Sequence, residues 1–122
     1  MLSIPFANHC RIERVEVTSQ RAVYAVDVVA PLTNSRDTAH GGLLMTLFDI
    51  ALGQAVLAAA ADATSFATVQ MNVEFIKPGS GRIRAECRTT HAGRNLAFAS
   101  GEIRDAEGEL IAKASGIFKI LR

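Results

Sequence analysis

Residues 40–60, HGGLLMTLFDIALGQAVLAAA, decide the fold. No proline interrupts them and Leu and Ala dominate, which favours a helix from His40 to about Ala61. The stretch is far longer than an ordinary strand. Its apolar side chains fall nearly all round the helix, and such a helix is buried on most of its sides. Thr46, Asp49 and Gln54 interrupt the apolar run, so a membrane span is a poor reading.

The chain on either side reads as strands. Upstream, residues 11–30 hold two extended segments, the second (AVYAVDVVA) rich in β-branched residues and closing at Pro31. Downstream, Val69, Met71, Val73 and Phe75 alternate with Gln70, Asn72 and Glu74. Beyond the PGSG turn at 78–81, Ile83, Ala85 and Cys87 alternate with Arg84, Glu86 and Arg88. Two more strands, LAFASGEIR and ELIAKASGIFKIL, follow the turns HAGRN and DAEG. Strands of this kind want one covered face. One long apolar helix beside them implies an α+β fold, an antiparallel sheet wrapped around a central helix, built as one domain over 1–122.

Composition narrows the function. Thirteen basic and 12 acidic side chains leave a net charge of +1, which argues against a general nucleic-acid binder. Cys10 and Cys87 form no C-x-x-C pair and no Cys/His cluster of metal spacing, so both read as packing residues in a reducing compartment. The N-terminus lacks the basic start and apolar run of a secretory signal. A cytoplasmic protein without a metal or redox cofactor is expected.

Three features meet at the helix. His40, Gly41 and Gly42 open it, and glycine there weakens a helix unless something must approach the backbone. The unpaired N–H donors and partial positive charge of a helix start suit an oxyanion developing on a carbonyl. Asp49 lies among Leu47, Phe48, Ile50 and Ala51, where a carboxylate is rare unless paired or functional. Thr46 and Gly53 share its stripe and are small enough to leave it accessible. Asn34, in the loop PLTNSRDTA, offers an amide that can donate to a carbonyl or hold a water. Each feature alone also has an ordinary structural reading: a glycine-containing helix start, a hydrogen-bonded Asp, a turn-forming Asn.

Spacing adds a constraint. Eight residues of helix separate Gly41 from Asp49 (49 − 41), about 12 Å. An oxyanion donor and a base acting on one carbonyl must both lie within a few ångströms of it. One helix cannot present both. Two antiparallel copies across a two-fold axis can, which predicts a symmetric dimer with two shared sites.

At Asn34, His40-Gly41-Gly42 and Asp49 the chain resembles the hotdog-fold thioesterases, specifically the phenylacetate-degradation (PaaI-like) branch. The likeness continues through TVQMNVEFIKPGSG and HAGRNLAFASGEIRDAEGELIAKASGIFKI, roughly residues 30–120. The resemblance implies an acyl-CoA thioesterase that forms a dimer or a tetramer built as a dimer of dimers. In it, the Gly41 N–H polarises the thioester carbonyl and the partner's Asp49 acts as general base or nucleophile. Asn34 and His40 help hold the carbonyl or the water, and Thr68 matches a water-orienting hydroxyl position. The resemblance also places coenzyme A against Phe75, Ile76, Lys77, Pro78, Gly79 and Ser80 and the run His91, Ala92, Gly93, Arg94, Asn95 and Leu96, with Lys77 and Arg94 able to reach phosphates. Two other outcomes are compatible with the fold: a hotdog enoyl-CoA hydratase, whose local motif differs from this one, and a non-catalytic acyl-CoA-binding module.

Overall fold

The structure, a computed structural model, describes residues 2–122. A short helix α1 (Pro5–His9) leads into strands β1 (Glu13–Val17) and β2 (Ala22–Val28). A 3-10 turn (Ala30–Leu32) and a loop then deliver the chain to helix α2 (Gly41–Ala59). Four strands follow: β3 (Ser65–Phe75), β4 (Gly81–Ala92), β5 (Leu96–Asp105) and β6 (Leu110–Leu121). They form one sheet in the order β1-β2-β4-β5-β6-β3, every neighbour antiparallel. This is the α+β hotdog arrangement, and α2 packs against all six strands.

Helix α2 begins where expected because His40 caps it. The His40 backbone is extended and its imidazole Nδ1 accepts from the Gly42 N–H at 2.8 Å. Leu47, Phe48 and Leu52 are fully buried, each contributing about 1.5–3 kcal/mol by leaving water. The sheet receives the helix with small side chains: Ala85, Ala97, Ala99, Ala112 and Ala114 are all buried on the inner face. On β4 the burial alternates as the sequence predicts, Ile83, Ala85 and Cys87 inward and Arg82, Arg84 and Arg88 outward.

Three expectations need correction. First, Asp49 does not lie on the buried part of α2. Gly42, Thr46 and Asp49 are half-buried and Met45 is 42% exposed, so one stripe of the helix is uncovered in the single chain. Asp49 is therefore not a buried carboxylate. Second, Gly53 does not open access to Asp49. It is buried, and a methyl group built there would collide with the Phe66 ring, which occupies the space. Glycine at 53 is a packing requirement of β3 on α2. Third, the alternation along β3 breaks at Val69. Thr68 pairs with Phe118 and Gln70 with Ile117, leaving Val69 as the extra residue of a β-bulge, 58% exposed. The bulge shifts the parity of the strand. Phe66 and Thr68 face the helix before it, and Met71, Val73 and Phe75 face the helix after it.

The edges of the sheet differ. β1 is five residues long, bulged between Arg14 and Glu16, and carries Glu13, Arg14 and Glu16. β3 is 11 residues long and carries a single charge, Glu74, on a free edge. Helix α1, which the sequence did not signal, is held down by Ala7, Cys10 and Ile12 in the core.

Candidate active site

Two clefts flank the exposed stripe of α2. The first, about 330 Å³, opens at the helix N-terminus and is lined by Gly41, Asn34, Arg36, Phe75, Lys77 and Gly79, among others. The Gly41 amide has no hydrogen-bond partner among the described residues, whereas the Gly42 amide is taken by His40. Packing within the chain does not explain a glycine at 41. A methyl group there would meet the Phe75 ring at 3.6 Å, an ordinary contact. At Gly42 a methyl group would lie 3.0 Å from the His40 Nδ1, so that glycine serves the cap. The cleft thus offers one free N–H at the positive end of a helix of 19 residues.

His40 fixes this donor through the cap. Because its Nδ1 accepts, the ring proton of the neutral imidazole lies on Nε2. Asn34 is engaged in its own loop. Its amide nitrogen donates to the Thr38 hydroxyl at 2.9 Å and its oxygen accepts from the Arg36 and Thr38 amides. The loop conformation of Asn34 is the turn-forming one, and it shapes the cleft wall next to Gly41.

Asp49 lines a different cleft, about 420 Å³, with Ile4, Phe6, Met45, Ile50 and Met71. Its Oδ1 accepts a 2.7 Å hydrogen bond from the Thr68 hydroxyl. The bulge at Val69 makes this bond possible by turning Thr68 toward the helix while Met71 keeps the same face. Thr46 does not compete for the carboxylate, since its hydroxyl donates back to the Gly42 carbonyl at 2.8 Å. One carboxylate oxygen is thereby held and the other is left to face solvent. Within a chain, Gly41 and Asp49 share no cleft, in keeping with their separation along the helix.

The residues expected to hold coenzyme A divide into two groups. Phe75, Ile76, Lys77, Pro78 and Gly79 surround the Gly41 cleft. His91, near the end of β4, and Gly93, Arg94 and Asn95, in the β4–β5 turn, lie at the other end of the sheet. β4 runs the 12 residues from Gly81 to Ala92, about 35 Å, so one chain does not bring the groups together. Lys77 pairs with Glu109 at 3.3 Å, an exposed contact worth at most about 1 kcal/mol that a phosphate can displace. His91 stacks on Phe98, with centroids 6.1 Å apart. Both cysteines are buried, and burial pushes the Cys87 thiol up to about 12, which removes it as a nucleophile.

The sequence did not single out Arg36 or the wall residues Ile4, Phe6, Met45 and Met71. Arg36 sits two residues from Asn34 and has no ion pair among the described residues. Met45 and Met71 alternate correctly with core positions and so read as core. Phe6 reaches the site only because α1 sets it beside the first turns of α2, which no local pattern announces.

Comparison with known proteins agrees with this architecture. The family model described as the thioesterase superfamily matches residues 37–112. The candidate esterase PA0474 of Pseudomonas aeruginosa is 32% identical over 105 residues, 83% of this chain and 76% of its own length. The thioesterase HI1161 of Haemophilus influenzae shares the fold with a TM-score of 0.91 at 18% identity, covering 98% of this chain and 85% of that one. The PaaI protein of the E. coli phenylacetic acid degradation operon does so with a TM-score of 0.89 at 20% identity, covering 98% and 86%. With a match over most of its length and a relative of this similarity, the chain belongs to the thioesterase superfamily.

Proposed function

We propose that the chain hydrolyses acyl-coenzyme A thioesters as a symmetric dimer, with Gly41 of one subunit and Asp49 of the other acting on the same carbonyl. The observation that carries this is the pairing of two incomplete half-sites. A free helix-terminal amide at Gly41 and an oriented, solvent-facing carboxylate at Asp49 lie in separate clefts of one chain. The β3 edge supports the assembly. It is long, nearly uncharged and apolar at Val69 and Phe75, the opposite of an edge guarded against pairing. Two such edges joined antiparallel bring two copies of α2 side by side.

The chemistry follows from the groups available. The Gly41 N–H and the helix dipole stabilise negative charge on the thioester oxygen as water attacks the carbonyl carbon. Asp49 takes the proton from that water, with Thr68 holding Oδ1 so that the second oxygen points at the nucleophile. Collapse of the tetrahedral intermediate breaks the C–S bond, and the leaving thiolate recovers the proton from Asp49. Direct attack by Asp49, through an anhydride, uses the same geometry. Lys77 and Arg36 supply positive charge at the mouth of the Gly41 cleft for the phosphates, and the partner's β4–β5 turn contributes Arg94.

A panel of acyl-CoA esters assayed for free thiol tests the proposal. Thiol release by the native protein and its loss in Asp49→Ala, in a variant that still dimerises by light scattering, are the expected results. Wild-type rates in Asp49→Ala would end the mechanism. Hydration of crotonyl-CoA without thiol release would favour the hydratase.

A further inference from the structure

The two sides of Phe6 carry a further inference, which rests on the thioesterase reading above. Phe6 is 58% exposed, although its backbone is fixed. Ala7 and Cys10 anchor α1 in the core, the Cys10 N–H donates to the Phe6 carbonyl, and the Asn8 side chain bonds both backbone groups of Leu2. The ring stacks on His9 with centroids 6.4 Å apart, but most of it is left uncovered, and an exposed ring adds little to the fold.

The ring stands between two clefts. On one side is the 420 Å³ cleft of Asp49, with Ile4, Met45 and Met71. On the other is a cleft of about 390 Å³ walled by Pro31, Leu32 and Leu43. Phe6, Gly42 and Thr46 line both, so the two are halves of one trough along the exposed stripe of α2. Neither half contains a Lys or Arg, and Asp49 is the one carboxylate. Such walls reject the phosphates of the carrier and suit the apolar half of the ester.

We propose that the trough receives the acyl group and that Phe6 partitions it, setting the chain length that reaches the carbonyl beside Asp49. In one chain the half next to Asp49 lies within the range of small-molecule sites, and the partner helix of the proposed dimer faces its open side. Chains that outrun this half are stopped by the ring, so the ring limits the substrate class by length. Phe6 is a specificity residue rather than a catalytic one.

The test compares native protein, Phe6→Ala and Phe6→Trp on esters from acetyl- to palmitoyl-CoA, by thiol release, with oligomeric state measured on each. Removing the ring merges the halves. The ratio of palmitoyl to hexanoyl kcat/KM should then rise about tenfold or more in Phe6→Ala and fall in Phe6→Trp. The exposed ring can be removed without opening the core, and the tryptophan variant gives an independent shift of opposite sign. Parallel chain-length profiles in all three proteins would overturn the proposal. So would a Phe6→Ala protein that dissociates and loses every substrate equally, because the ring would then belong to the subunit interface. If the native protein splits no ester at all, the thioesterase reading fails first; if it splits them and only the profiles are parallel, the assignment of Phe6 alone fails.

Discussion

The two sides of α2 meet different demands. Toward the sheet, Leu44, Leu47, Phe48, Ala51 and Leu52 are buried, and the side chains are apolar without exception. On the other side, Gly42, Met45, Thr46 and Asp49 follow one another at helical spacing, half-buried or exposed, with polar atoms bonded to the helix itself or to β3. A uniformly apolar sequence conceals this division, because Met45 on the outer side is as apolar as Leu47 on the inner. The difference shows that a helix can be written as core and still keep one stripe for chemistry.

Exchanging damage between the two sides is the sharpest way to break the comparison. Asp49→Ala should lower kcat by about 10²–10⁴-fold and leave the melting temperature where it was. Phe48→Ala, the adjacent residue turned inward, should cost about 3–5 kcal/mol of unfolding free energy measured by urea titration. If Asp49→Ala also melts the protein, the stripe is structural and the division of the helix is false.

A smaller effect tests the boundary between the sides. Gly53→Ala gains helix propensity of up to about 1 kcal/mol, but forces the Phe66 ring out of its place against the helix. Overpacking of about 1–3 kcal/mol should win, so a net loss in denaturant midpoint is expected, relieved by adding Phe66→Leu. A more stable Gly53→Ala would show that Phe66 moves freely.

The smallest effect belongs to Thr68. Thr68→Val removes the donor to Asp49 at an exposed position, so stability should change by no more than about 0.5 kcal/mol. The kcat should fall about tenfold, the worth of one hydrogen bond. Steady-state kinetics that are indistinguishable from native would leave Thr68 as an ordinary strand hydroxyl.

The sequence made the architecture legible where burial follows a short period. The α2 run and the inward Ile83, Ala85 and Cys87 are visible because each residue's neighbours repeat the same rule. Asp49 was legible as an anomaly, and Gly41 as a glycine in a helix start. What stayed hidden depends on distant contacts. Gly53 reads as an opening until Phe66 is known to fill it, and Phe6 has no meaning until it is placed beside α2. Lys77 and Arg94 read as neighbours of one ligand, yet their turns lie at opposite ends of β4, a separation that follows from strand length once the register is fixed.

The bulge at Val69 makes β3 a strand that counts. Facing alternates with every residue, so the one extra position lets Thr68 and Met71 share a side that strict alternation would deny them. Replacing Val69, an exposed residue, disturbs little. Deleting its codon throws one half of the strand out of phase, turning either Phe66 and Thr68 away from the helix or Met71 and Val73 away from the core. Along this strand the number of residues is under tighter constraint than the identity of the one that supplies the extra step.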